Sequence, residues 1–200
     1  MTADSNVAPH RALVAAMPRA ELARLCKIFG ASLTPDLAGT DDGSGKPIDG
    51  ARLLWAISGR ESSFGKNMTP RHEPAYDVGG LYWRTSEEVK QGVGRYGRDF
   101  ACSYGPLQIM ACNASGHTPE ELGSDPEAAL GAAVAHLKII ILYRQMAKTI
   151  AEICQCWNGG HIGARTTPGY VGEVMRHYQT AGFDLASLLD GQKKEGTCQP

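Results

Sequence analysis

Apolar positions recur at helical spacing through most of this chain. Leu22, Leu25, Ile28 and Phe29 mark one face of a helix that Pro18 opens and Gly30 is expected to end. Asp49 can accept the free N–H groups in the first turn of a second helix. In the run that follows, Leu54, Ile57 and Glu61 stand three and then four residues apart, on one face of a helix. Thr118-Pro119-Glu120-Glu121-Leu122 reads as a short capped helix. Asp125-Pro126-Glu127 starts a longer one, with Leu130, Val134, Leu137 and Ile141 on a stripe. Ala128, Ala129, Ala132, Ala133 and Ala135 beside that stripe permit close packing, and Ile139 and Ile140 widen it, so this helix is the expected centre of the core. Thr149 to Trp157 continues helically and stops at Asn158-Gly159-Gly160. Pro168-Gly169-Tyr170 opens a last helix through Val171, Val174, Met175 and Tyr178, before a polar tail.

Two stretches break the pattern. Thr40 to Pro47 is a loop by composition. From Lys66 to Phe100 periodicity is lost among glycines, arginines and aromatics, and a structureless segment of 35 residues within a domain is more often functional than idle. It reads as loops and short strands beside a cleft. There Tyr76, Tyr82, Trp83 and Tyr96 offer flat faces to sugar rings or fill a small satellite core. In Ser103-Tyr104-Gly105-Pro106-Leu107-Gln108-Ile109-Met110 a turn leads to a short apolar segment, whose Gln108 must face a cleft or a specific partner.

Glu61 is the residue around which chemistry can be argued. It falls on a face that should be buried, and Phe64-Gly65 stops the helix so that Glu61 lies in its last turn, near the negative end of the helix dipole. Desolvation and a negative dipole end both disfavour the charged carboxylate, and a proton retained near neutral pH is what a general acid needs. The alternative is a helix-end glutamate that bends out to solvent.

Composition narrows the field. A 42% hydrophobic and 20% charged chain of 200 residues suits one domain with a real core. A net charge of -1 gives no basic field for nucleic acid. The longest apolar run, Leu137 to Tyr143, is interrupted by Lys138 and too short to span a bilayer, so no integral membrane segment is expected. The first residues carry Asp4 where a signal peptide is basic. The six cysteines, Cys26, Cys102, Cys112, Cys154, Cys156 and Cys198, are expected as free thiols. Cys154-Gln155-Cys156 has no second pair at metal spacing, and the histidines form no ligand motif, so neither metal nor cofactor is expected. A nucleophilic cysteine paired with His161 or His177 is weaker than a core role for Cys154 and Cys156.

Four segments in order, Glu61-Ser62-Ser63-Phe64-Gly65, Ser103 to Met110, Trp157-Asn158-Gly159-Gly160 and Pro168-Gly169-Tyr170-Val171, resemble the motifs of the transglycosylase SLT family of the lysozyme-like superfamily. The match covers roughly residues 48 to 180, with the long helix between the second and third motifs. It departs from the family at Trp157, where tyrosine is usual, at Leu107, where methionine is common, and in the spacing at Gly160. The resemblance implies a mainly α (α+β lysozyme-like) fold, a helical core with an irregular or small-sheet region flanking a substrate cleft. Residues 1–47 then form an N-terminal helical segment packing on the core, 48–186 the catalytic domain and 187–200 a polar tail.

The activity it implies is lytic cleavage of the β-1,4 bond between N-acetylmuramic acid and N-acetylglucosamine in peptidoglycan. Glu61 would be general acid and then base, with Ser103, Tyr104, Gln108, Asn158 and Tyr170 on the substrate. The partner would be the glycan strand, bound by a monomer acting in the cell wall or periplasm. With no export signal visible, the route is open: phage lysis, a virion, dedicated secretion or prior trimming. Two alternatives stand. A goose-type hydrolytic muramidase would use Glu73 or Asp77, 12 and 16 residues beyond Glu61, to position water, although Glu73 can equally pair with Arg71. A non-catalytic peptidoglycan-binding or phage structural module would keep the fold without turnover.

Overall fold

The computed structural model describes residues 12–144 and 146–195. Met1 to Arg11, Gln145 and residues 196–200, Cys198 among them, lie outside the described residues. The fold is mainly helical: α1 (Arg19–Leu33), α2 (Gly50–Ser62), α3 (Leu81–Thr85), α4 (Glu87–Tyr96), α5 (Pro119–Ser124), α6 (Pro126–Lys138), α7 (Ile150–Gly159) and α8 (Tyr170–Glu195). Three short strands, β1 (Arg71–His72), β2 (Cys102–Tyr104) and β3 (Ile109–Met110), form one antiparallel sheet in that order.

The core is built around α2, which packs between α1 and α8. Leu53, Leu54, Trp55, Ala56, Ile57 and Ser58 are all buried, which a helix allows only when it is covered on several sides. Its cap is the expected one: the Asp49 carboxylate accepts the Arg52 N–H at 2.9 Å. Helix α6 contributes Leu130, Val134 and Leu137 to the same core and runs on into a π-helical segment, Ile139–Arg144. Among the described residues the 18-residue window Pro126–Tyr143 is apolar and long enough to cross a membrane, but 44% of it is buried inside the fold, so it gives no clear span.

Gly30 does not end α1. The helix runs through it to Leu33, because the missing side chain is used at a crossing: a Cβ on Gly30 would lie 2.3 Å from the Ala51 nitrogen, and one on Gly50 2.3 Å from the Gly30 oxygen. The α1 face differs accordingly. Leu22 and Leu25 are buried with Ala23, Cys26 and Leu33, while Ile28 is 51% exposed. The stretch from Lys66 to Phe100 also differs, being largely helical. Ser86 caps α4 by accepting the Val89 N–H, Glu87 and Glu88 occupy its first turn, and Val89 and Val93 are its buried pair. Tyr76 stacks on Tyr82 at 4.4 Å between centroids and Tyr96 on Phe100 at 6.1 Å, which is satellite packing. At the other end the tail expected from residue 187 is helical as far as Glu195.

Two left-handed residues follow α2. Ser63 and Phe64 have φ of 52° and 59°, and Gly65 continues at 77°. The turn folds the Phe64 ring back over Gly59, whose absent Cβ would sit 2.7 Å from it, and onto Trp55 at 4.8 Å. Such a conformation typically costs about 1–3 kcal/mol per non-glycine residue and persists only when packing over-determines it.

The α1–α2 crossing yields a sign test. Alanine at position 30 should gain about 1 kcal/mol of helix propensity, yet its methyl would overlap backbone that no rotamer change can move. Gly30→Ala is therefore expected to lower the stability measured by urea unfolding by about 1–3 kcal/mol, whereas a glycine that merely ended α1 would make it neutral.

Candidate active site

Glu61 lies one residue before the last residue of α2, on the same face as the buried Leu54 and Ile57. Only 6% of its side chain is exposed, so the carboxylate does not bend out to solvent. One oxygen accepts the Tyr170 hydroxyl at 2.6 Å from the first residue of α8. The other is 3.3 Å from the Arg71 guanidinium, delivered by β1. The same guanidinium reaches Glu73 at 2.9 Å, so one cation bridges two carboxylates. Together with Arg60, His72, Asn158 and the loop Arg165 to Thr167, these residues line an open cleft of about 520 Å³ whose surface is mostly polar.

Opposed effects act on Glu61. Burial raises its pKa above the usual carboxylate value, while the Tyr170 hydroxyl, Arg71 and Arg60 work against the rise without cancelling it. The Tyr170 phenol is pushed well above its ordinary range by burial and by the neighbouring carboxylate, so it remains a donor. Burial also works against the Arg71 charge, yet Glu61 and Glu73 outweigh it and its pKa is raised. Arg60 is drawn off by Glu173 at 3.0 Å and lies 5.4 Å over the Tyr170 ring.

The expected site residues divide into two groups. Glu61, Glu73, Asn158 and Tyr170 meet at the cleft. Asn158, exposed near the end of α7, accepts the Thr167 N–H at 2.8 Å and so fixes the loop that leads into Tyr170. Asp77 does not line the cleft. It pairs with His72 at 2.8 Å, and its pKa is lowered by the Val78 N–H and then by that histidine.

Ser103, Tyr104 and Gln108 are buried and are not among the residues that line the cleft. The Ser103 hydroxyl donates to Gln108 Oε1 at 3.0 Å, the Gln108 amide donates to the Gly105 carbonyl at 3.0 Å, and the Tyr104 hydroxyl donates to the Asp99 carbonyl at 2.7 Å. Gln108 adopts a φ of 52° in this turn. Because Ser103 is the register partner of Arg71, this network supports the strand that presents Arg71 to Glu61. Arg71 as the bridge, and Arg60, Arg165, Thr166 and Thr167 as lining, were not singled out by sequence reasoning. The one available signal was the alternation Arg71-His72-Glu73, which sends Arg71 and Glu73 to the same side.

Among the described residues no cysteine is paired with His161 or His177. Cys26, Cys102, Cys112, Cys154 and Cys156 are all free, and Cys154 is fully buried, its thiol pushed up to about 12 by burial and by the Glu61 charge. His177 packs edge-on against Phe64 at 4.9 Å, and the His161 ring contacts the Ile162 carbonyl. Among the described residues no cluster of three His, Cys, Asp or Glu side chains is arranged to hold a metal ion. Comparison with family models, curated proteins and solved structures finds no match to this chain.

The raised pKa of Glu61 fixes the sign of a stability effect. Below the unfolded-state pKa the group is protonated in both states and carries no penalty. As pH rises through the folded value, the fold loses stability, because only the unfolded chain ionises freely. Glu61→Gln removes that loss while keeping an acceptor for Tyr170. Its stability relative to the unaltered protein is expected to be better at pH 7 than at pH 4, measured by urea unfolding at both values. The reverse trend would mean that Tyr170 and Arg71 outweigh burial.

Proposed function

We propose that the protein is a lytic transglycosylase with a lysozyme-like fold that cleaves the β-1,4 bond between N-acetylmuramic acid and N-acetylglucosamine in peptidoglycan. The observation that carries the reading is the buried Glu61 carboxyl, with its raised pKa and its 2.6 Å hydrogen bond to Tyr170, on the wall of an open polar cleft. The order of motifs from Glu61 to Val171 supports the reaction class, and the mainly helical core with its small sheet is compatible with it.

The chemistry follows from the two opposed influences on Glu61. In the first step the protonated carboxyl gives its proton to the glycosidic oxygen, and the bond from that oxygen to the muramyl C1 breaks. Burial favours the protonated starting form. In the second step the carboxylate takes the proton of the muramyl 6-hydroxyl as that oxygen bonds to C1 and closes a 1,6-anhydro ring. Tyr170 and Arg71 stabilise the carboxylate between the two steps. Glu61 ends protonated again, and no water is consumed. Substrate of this kind lies outside the cytoplasmic membrane, so the site of action is the cell wall or periplasm.

One observation favours a second reading. Glu73 lines the same cleft as Glu61, linked to it through Arg71, so a hydrolytic muramidase could use it to position water. Asp77, held by His72 outside the lining, is the poorer candidate. A binding or structural module without turnover is the third outcome to be tested.

Purified sacculi incubated with the protein separate the three. Anhydro ends in the released muropeptides, read by mass spectrometry, support the transglycosylase and reducing ends the hydrolase, while no release at all would sink both. Glu61→Gln is expected to fold and to lose about 10²–10⁴-fold in rate. Glu73→Gln should lose less than about tenfold if Glu61 works alone, and about as much as Glu61→Gln if water must be positioned.

A further inference from the structure

Each basic side chain on the cleft except one has a partner. Arg71 is held by Glu61 and Glu73, Arg60 by Glu173, and His72 by Asp77. Arg165 lines the same cleft, is exposed, and makes no hydrogen bond or ion pair among the described residues. A free surface arginine is ordinary, but the backbone that carries this one is not loose. The Gly163 N–H is accepted by the Gln155 side chain at 2.8 Å, and the Thr167 N–H by Asn158 at 2.8 Å, so the loop is fastened to α7 two residues on either side of Arg165. Between those ties it lies flush on the helix end: a Cβ on Gly159 would sit 2.5 Å from the Ala164 Cβ and 3.1 Å from the Arg165 carbonyl oxygen. The loop then leads through Thr167, whose carbonyl accepts the Tyr170 N–H at 3.0 Å, directly to the partner of Glu61. A guanidinium without a partner among the described residues is thus carried by a fastened backbone on the same cleft as Glu61.

We propose that Arg165 receives a carboxylate carried by the glycan substrate and thereby decides which strands the cleft accepts. The proposal rests on the peptidoglycan reading of the site. The chemistry fits because the planar fork of arginine matches a carboxylate in two parallel hydrogen bonds. Glu61 and Glu73, the two carboxylates on the cleft, are paired with Arg71 and make no contact with Arg165. Two parts of the substrate offer the group: the lactyl carboxylate of a muramyl residue stripped of peptide, and the carboxylates of an intact stem peptide. Arg165 acts in binding and orientation, not in proton transfer, so its removal should appear in KM and leave kcat nearly unchanged.

The test compares the unaltered protein with Arg165→Gln and Arg165→Lys on three soluble ligands: peptide-bearing strands, strands stripped of peptide by an amidase, and uncharged chitooligosaccharide. For Arg165→Gln the Kd, and the KM where cleavage occurs, should rise about five- to tenfold on a carboxylate-bearing strand, with chitooligosaccharide binding unchanged and partial recovery in Arg165→Lys. A loss confined to stripped strands identifies the lactyl group, one confined to peptide-bearing strands the stem, and a loss on both an acceptor for either. Equal Kd values for Arg165→Gln and the unaltered protein on both charged strands overturn the proposal. Cleavage that persists with that equality leaves the transglycosylase reading intact. Arg165-dependent binding without any cleavage upholds the proposal and removes the enzyme reading, and failure to bind any strand removes both.

Discussion

The hydrogen bond between Glu61 and Tyr170 joins α2 to α8, and the remainder of the cleft is placed by that junction. The two helices run in opposite directions and are tied at both ends. At the start of α2 the Asp49 N–H is accepted by the Tyr178 hydroxyl at 2.8 Å, and the Arg52 guanidinium reaches the Tyr178 carbonyl and lies 4.4 Å over its ring. At its end Glu61 meets Tyr170. Between these ties lies apolar packing with Val174 fully buried, so the separation of Glu61 and Tyr170 cannot drift without disturbing the core. A buried carboxyl would otherwise be an expensive thing to retain.

The rest of the site is brought to that carboxyl by features that are individually unfavourable. Ser63 and Phe64 turn the chain through left-handed conformations immediately after α2, which stops the helix next to Glu61 and frees the chain to return as β1. Phe64 holds the turn by packing over Gly59 and Trp55. Beneath β1, Gln108 is itself left-handed and is fixed by hydrogen bonds with Ser103 and Gly105. Strain at these two turns is thus offset by the packing and hydrogen bonding that set Arg71 against Glu61.

Much of the helical framework was legible because caps and apolar stripes are local signals. Asp49, Thr118, Asp125 and Thr149 each accept a backbone N–H at the start of their helices. The burial of Glu61 followed from its spacing to Leu54 and Ile57. What local pattern could not give was the use of a glycine. Gly30 reads as a stop, and only the approach of Gly50 and Ala51, some twenty residues on, makes it a crossing point. Helix α4 was hidden because Gly92 and Gly94 dilute its apolar positions, Gly92 being required by the Phe100 ring that would lie 2.2 Å from its Cβ. Ser103, Tyr104 and Gln108 were expected on the substrate because their segment resembles a family motif, and Gln108 also because a buried amide must face a cleft or a specific partner. With β2 covered on both faces, their polar groups are satisfied inward instead.

The bridge through Arg71 bears on how one carboxyl can serve in two states. If Arg71 belonged to Glu61 alone, its charge would oppose the protonated form throughout the cycle. Shared with Glu73, it has a second anion to hold when Glu61 carries a proton, and it can serve Glu61 again once that proton is given up. Tyr170 offers the same flexibility, since a phenol can donate to a carboxylate and accept from a carboxylic acid. On the proposed mechanism, then, Glu73 need not touch substrate to matter. By sharing the Arg71 charge, it leaves burial the largest influence on the Glu61 pKa, with two donors in place for the base that follows.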